Sequence, residues 1–82
     1  MKKRTRSEIV AMMLESARMG ASKTRIMYQS FLSFTQVNDY LRYLQENDLI
    51  TFEKGTHNYK LTKRGLKFLD RSHELNELIS AG

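Results

Sequence analysis

The chain has 82 residues, no cysteine and a formal net charge of +5. This length predicts one domain with a small core, and the lack of cysteine excludes a disulfide framework and a cysteine-ligated zinc site. No apolar run approaches the roughly 18 residues of a membrane-spanning helix, and no leader-like apolar core follows the basic N terminus. We therefore expect a soluble cytoplasmic protein. The basic balance favours a polyanionic partner, nucleic acid before an anionic membrane.

The N-terminal part predicts a basic arm over residues 1–6 and then a first helix. Lys3 and Arg4 in the arm are candidate phosphate contacts, because basic arms commonly track the DNA backbone without reading its sequence. Ser7 is the predicted N-cap. The helix should end near Gly20, where glycine can adopt the left-handed conformation. Its buried stripe is predicted to contain Ile9, Met12, Met13, Ser16 and Ala17, widened by Val10 and Leu14.

A second, short helix is predicted over about residues 23–30, with Ser22 as its N-cap. Its apolar positions are Ile26, Met27 and, just beyond the helix, Phe31. Residues 21–22 fit a short edge strand equally well. The first residues of this helix, Lys23, Thr24 and Arg25, are candidate phosphate contacts, since helix N termini favour anions.

The third helix, residues 34–47, has the clearest sequence signals. Ser33 and Gln36 fit a capping box, and Leu32 before the cap can pack on Val37. The core stripe is predicted to consist of Val37, Tyr40, Leu41 and Leu44. The helix should stop at residues 47–48, since Asn and Asp tolerate the left-handed conformation.

The opposite face of this third helix is polar and fits the major groove of DNA. The candidate DNA contacts here are Ser33, Thr35, Gln36, Asn38, Asp39, Arg42 and Tyr43. Gln36 and Asn38 match adenine edges, and Arg42 matches guanine or phosphate. An ordinary solvated helix face explains the same pattern equally well, and Asp39 has the wrong sign for phosphate.

Residues 50–54 and 58–61 alternate in polarity and predict a β-hairpin joined by residues 55–57. Phe52, Tyr59 and Leu61 are the candidate inward residues, although the register cannot be read from the sequence. The tip offers Lys54, Thr56, His57 and Asn58 as DNA contacts. An ordinary polar loop explains these four residues equally well.

The last helix is predicted from Lys63 to about Ile79, capped by Thr62. One stripe contains Leu66, Leu69 and His73, and Phe68 widens it. Its basic residues Lys67 and Arg71 are interpreted as a solubilising face. The apolar residues Leu75, Leu78 and Ile79 predict a homodimer interface.

No catalytic or metal-binding pattern stands out. The two histidines, His57 and His73, have no second histidine or carboxylate at ligand spacing. There is also no glycine-rich loop that would hold a phosphate. We therefore expect neither an enzyme nor a cofactor nor a metal site.

Three segments carry a common pattern: Tyr40-Leu41-Arg42-Tyr43-Leu44, Leu49-Ile50 before a hairpin, and the run from Leu61-Thr62 through Gly65 to Leu69. Together they resemble winged-helix transcriptional regulators. Residues 23–28 followed by Leu32-Ser33-Phe34 are similar to small archaeal winged-helix proteins. Some of those proteins are predicted regulators, and others are chromatin proteins that dimerise through a C-terminal antiparallel coiled coil. Two departures are Asp48, where glycine is common, and a third helix that is less basic than usual.

The resemblance implies a mostly helical α+β winged helix-turn-helix domain over residues 7–79. It also implies double-stranded DNA as the partner, residues 34–47 in the major groove, residues 54–58 as the wing, and a homodimer. A nucleoid-associated regulator or small chromatin protein is the expected function. The alternative is a protein–protein interaction module that does not bind DNA, because a fold does not fix a function.

Overall fold

The chain forms three helices, a two-stranded antiparallel hairpin and a fourth helix, which confirms the expected fold class and element order. The computed structural model describes residues 4–81, and side chains for residues 4–75. The elements are α1 (Arg6–Ser16), α2 (Lys23–Gln29), α3 (Phe34–Glu46), β1 (Ile50–Glu53), β2 (Asn58–Leu61) and α4 (Lys63–Ala81).

Helix α1 begins one residue after Thr5, so the prediction of Ser7 as its N-cap was wrong. The Thr5 hydroxyl accepts a hydrogen bond from the Glu8 amide, and the Glu8 carboxylate accepts one from the Thr5 amide, each at 3.1 Å. This reciprocal pair is a capping box and satisfies two amides at the helix start. Arg6 is therefore the first residue of α1 and does not belong to an extended arm.

The buried stripe of α1 is centred on Val10, Met13, Leu14 and Ala17. Ile9 and Met12, predicted at its centre, lie at its half-buried edges. The helix ends at Ser16, whose hydroxyl donates to the Met12 carbonyl at 2.9 Å. The predicted helix end near Gly20 was therefore wrong, because a turn intervenes; Gly20 does adopt the predicted left-handed conformation (φ 89°), four residues beyond the helix end.

The predicted cap of α2 and the alternative edge strand are both present. The Ser22 hydroxyl accepts from the Arg25 amide at 3.2 Å, while Ala21 forms an isolated antiparallel bridge with Tyr59. Phe31, grouped from the sequence with the apolar positions Ile26 and Met27, does not share the burial of Ile26, because it is 75% exposed with a left-handed backbone (φ 54°). Leu32 turns back and is buried instead.

Helix α3 confirms its predicted cap and core stripe. The Ser33 hydroxyl accepts from the Gln36 amide at 3.2 Å, and the Gln36 carboxamide accepts from the Ser33 amide at 2.9 Å. Val37, Leu41 and Leu44 are buried, and half-buried Tyr40 packs against the core. The helix ends at Glu46, and Asp48 has the predicted left-handed conformation (φ 57°).

The hairpin register pairs Ile50 with Leu61 and Phe52 with Tyr59. Tyr59 and Leu61 are half-buried against the core, as predicted. The inward placement of Phe52 was wrong, because its side chain is exposed. The Phe52 ring lies 5.0 Å from that of Tyr59 and 6.1 Å from that of His57, so it packs on aromatic side chains of the hairpin itself.

The start of α4 is fixed at the junction that follows α3. The Thr62 hydroxyl donates to the Asp48 carbonyl at 2.6 Å and accepts from the Gly65 amide at 2.9 Å. The Thr62 amide donates to the Leu49 carbonyl at 3.2 Å. These bonds join the end of α3, the base of the hairpin and the first turn of α4.

Helix α4 packs on the core through Gly65 and Leu69, both buried. The prediction of Leu66 as a core residue was wrong, because it is 41% exposed, and Phe68 is also exposed. His73 does not lie in the core stripe but approaches the Glu15 carboxylate of α1 at 3.3 Å. Arg18 and His73 together hold the pKa of Glu15 below its usual range, with the Arg18 hydrogen bond as the larger cause.

We predict that Gly65→Ala destabilises the protein by at least about 2–3 kcal/mol. A Cβ at this position would lie 2.0 Å from the Leu49 carbonyl oxygen, so α4 would have to move away from the junction. Urea or guanidinium denaturation measures the change in the free energy of unfolding.

The matched control is Gly55→Ala at the hairpin turn. An added Cβ there meets nothing within 4 Å, and the backbone lies outside the left-handed region. We expect its effect to remain within about 0.5 kcal/mol. Equal effects of the two substitutions would contradict the proposed close contact at Gly65.

Candidate nucleic-acid interface

Most of the predicted base-reading residues lie on the solvent-facing side of α3. Ser33, Thr35, Gln36, Asp39, Arg42 and Tyr43 are exposed, and Asn38 is half-buried. The core stripe of the same helix faces inward. The helix therefore presents a continuous polar face that a DNA groove can reach.

Gln36 and Asn38 already have partners within the protein. The Gln36 carboxamide oxygen is engaged by the Ser33 amide in the capping box. The Asn38 carboxamide oxygen accepts from the Lys23 ammonium at 2.9 Å. Bidentate pairing with adenine uses both the oxygen and the nitrogen of a carboxamide, so both side chains would have to share or exchange these bonds.

The Arg42 Nη2 and Asp39 Oδ1 atoms are 3.7 Å apart, and both side chains are more than half exposed. An exposed pair of this kind contributes only about 0–1 kcal/mol. Arg42 is therefore available to an outside anion at little cost. It is also the sole basic residue of α3, against the acidic Asp39 and Glu46.

The sequence reasoning missed three aromatic residues around the turn between α2 and α3. Tyr28, Phe31 and Phe34 are all exposed, and Phe34 at the first position of α3 is 63% exposed. The Lys23 ammonium lies 5.0 Å from the centre of the Phe34 ring. The sequence did offer a signal for the exposure of Phe34. It directly follows the predicted N-cap, and the first turn of a helix often projects beyond the core.

The basic residues on the other elements differ in how far they are engaged. The Arg4 guanidinium donates to the carbonyls of Ser30 and Phe31, the latter at 2.9 Å. Lys23 is held by Asn38 and Phe34. Thr24 and Arg25 are exposed in the first turn of α2. Lys3 lies outside the described residues.

The hairpin turn carries Lys54, Thr56 and His57 in exposed positions, with Asn58 half-buried. The Thr56 hydroxyl donates to the Glu53 carboxylate at 2.7 Å, and the Lys60 ammonium lies 3.1 Å from the same group. These two contacts, Thr56 first, lower the pKa of Glu53. Thr56 is therefore engaged within the turn, and the His57 ring lies 6.1 Å from that of Phe52, while Lys54 is exposed.

The arrangement of α2, α3 and the hairpin matches a known family model. The model, described as winged helix-turn-helix, covers residues 3–80. The chain belongs to the winged helix-turn-helix family. A comparison with curated proteins found no match. By position, α2 and α3 form the helix-turn-helix, α3 corresponds to the helix that such domains use for recognition, and the β1–β2 hairpin corresponds to the wing.

Two kinds of feature are absent from the part of this winged helix-turn-helix domain that the structure describes. Within residues 4–81, no helix is long and apolar enough to span a bilayer. Among the side chains that the structure describes, no group of three or more histidines, cysteines or acidic residues is placed to hold a metal ion.

Proposed function

We propose that this protein binds double-stranded DNA as a transcriptional regulator or a small nucleoid-associated chromatin protein. Helix α3 would enter the major groove, and the wing tip over residues 54–58 would contact the backbone. The observation that carries this proposal is the membership of the winged helix-turn-helix family together with a solvent-facing polar side of α3. The net charge of +5 adds attraction to a polyanion.

Phosphate contacts would supply most of the binding energy. Arg25, Arg42 and Lys54 are exposed and either unpaired among the described residues or only weakly paired. Arg4 and Lys23 would contribute less, since each already has partners within the fold. Lys3 would add a further phosphate contact from the N-terminal arm.

Base reading would depend on a small part of α3. Thr35 and Asn38 are near its start, where recognition helices meet base edges. Phe34 adds an apolar surface suited to the thymine methyl group. Gln36 would read bases only through the carboxamide nitrogen that the capping box leaves free.

The first prediction of this proposal is salt-dependent duplex binding. For roughly four to six phosphate contacts, the slope of log K against log salt should be about −4 to −5. The double variant Arg25→Ala/Arg42→Ala should weaken binding to all sequences and make the slope less steep by about two. Fluorescence anisotropy with a labelled random duplex measures both quantities.

Lys67→Ala/Arg71→Ala serves as the charge-matched control, because both residues lie on α4 and outside the proposed interface. It should change neither affinity nor slope by a comparable amount. No duplex binding at low salt would refute the DNA proposal. A stoichiometric protein partner that resists nuclease in a native extract would then support the interaction-module alternative, which the exposed Tyr28, Phe31 and Phe34 favour.

A second prediction separates base contact from phosphate contact. Phe34→Ala should reduce the affinity for a selected sequence by about 1 kcal/mol or more, while the salt slope stays unchanged. Phe31→Ala removes an equally exposed ring just outside α3 and is the control. A loss that is equal for random and selected duplexes would argue against base contact by Phe34.

Dimerisation through α4 forms a third part of the proposal. Leu75 is 60% exposed, so its apolar side chain is accessible to a partner surface. Leu78 and Ile79, the other proposed interface residues, have side chains outside the described ones. Two such α4 ends packed together would bury an apolar surface that one small domain leaves in water.

Sedimentation of the full chain at micromolar concentration should show a dimer that Leu75→Glu/Leu78→Glu converts to a monomer. Buried, unpaired carboxylates strongly disfavour association. Leu66→Glu, on the first half of α4, is the control and should leave the dimer intact. A monomeric wild-type protein would refute this part of the proposal.

A further inference from the structure

A groove between the end of α3 and the first half of α4 lies apart from most of the proposed DNA contacts. Its volume is about 380 Å³, within the range of small-molecule sites. The side chains that give it its chemistry are Tyr43, Asn47, Arg64, Lys67, Phe68 and Arg71. Leu49 forms part of its wall.

Three cations line one side of this groove. Arg64, Lys67 and Arg71 are spaced three and four residues apart, so they lie on one face of α4. Among the described side chains, none of the three has a carboxylate within 4 Å. Like charges on adjacent turns repel one another. A bound anion would reduce this repulsion. The interpretation of Lys67 and Arg71 as a solubilising face does not account for their position along a groove.

Two aromatic rings line the groove beside these cations. Tyr43 is 43% exposed and Phe68 is 38% exposed, so each ring is held by the fold but keeps an open surface. The Asn47 carboxamide nitrogen donates to the Tyr43 carbonyl at 2.8 Å. This bond orients Asn47 and leaves its carboxamide oxygen as an acceptor for an amino group.

We infer that the groove binds a mononucleotide-type anion, a planar amino-bearing heterocycle linked to a phosphate. The phosphate pairs with Arg64, Lys67 and Arg71, since guanidinium groups match phosphate oxygens in bidentate geometry. The ring stacks on Phe68, as nucleobases do on aromatic side chains, since the Tyr43 ring already has the Arg6 guanidinium 5.9 Å from its centre. Asn47 accepts a hydrogen bond from the amino group. This site does not depend on DNA binding by the protein.

The test is a titration of the full-length protein with AMP and with GMP, followed by amide chemical shifts. Inorganic phosphate and adenosine serve as the two halves of the ligand. We expect AMP or GMP to shift amides in residues 43–49 and 64–71, and to bind at least about tenfold more tightly than either half. Arg71→Ala should weaken nucleotide binding by roughly tenfold or more, the factor for one lost charge-assisted hydrogen bond.

Phe68→Leu keeps an apolar side chain but removes the ring, so it should weaken nucleotide and adenosine binding and leave phosphate binding unchanged. Lys54→Ala has the same charge change as Arg71→Ala but lies at the wing tip, and it should have no effect. Preserved amide dispersion shows that each variant is folded. The inference is overturned if neither nucleotide shifts these amides at millimolar concentration, if phosphate alone binds as tightly, or if Lys54→Ala weakens binding equally.

Discussion

The contact between Gly65 and the Leu49 carbonyl determines how the parts of this domain are arranged. Asp48 reverses the chain with a left-handed backbone, and the Leu49 amide then donates to the Leu44 carbonyl at 2.9 Å. Thr62 bonds to the carbonyls of both Asp48 and Leu49. Because Gly65 has no Cβ, α4 packs directly on this backbone. The end of α3, the base of the hairpin and the start of α4 therefore meet at one hydrogen-bonded junction. The relative positions of these three elements depend on it.

The second constraint is that two polar side chains of α3, Gln36 and Asn38, already form hydrogen bonds within the protein. If the Gln36 side chain turned to a base, it would lose its hydrogen bond to the Ser33 amide, worth about 0.5–1.5 kcal/mol. This loss offsets part of the roughly 1–3 kcal/mol of discrimination from one bidentate base contact. Asn38 faces the same balance because of Lys23. Together with the acidic Asp39 and Glu46, these contacts favour backbone attraction with limited base reading.

The sequence predicts those features whose signals are local. The capping box at Ser33 and the left-handed Asp48 depend on neighbouring residues, and both predictions are confirmed. Thr5 with Glu8 carries the same local signal, which the prediction of Ser7 as the N-cap of α1 did not take into account. The exposure of Phe31 and Leu66 did not follow from local signals. The burial of Phe31 depends on how α2 ends, and that of Leu66 depends on which face of α4 packs on the rest of the domain. The helical period alone does not determine which way α4 is rotated about its axis. Once Gly65 faces Leu49, the next residue, Leu66, turns toward solvent.

The same junction separates the proposed ligand groove from the proposed DNA interface. The groove touches α3 only at its last turn, whereas Phe34, Thr35 and Asn38 lie in its first turns. A ligand changes the affinity for DNA through the protein's conformation only if it binds two conformations differently. The bonds of Thr62 and the close packing of Gly65 hold this region in one arrangement. A groove ligand would then act on DNA mainly through Tyr43, a residue common to the groove and the polar face of α3, and through its own negative charge.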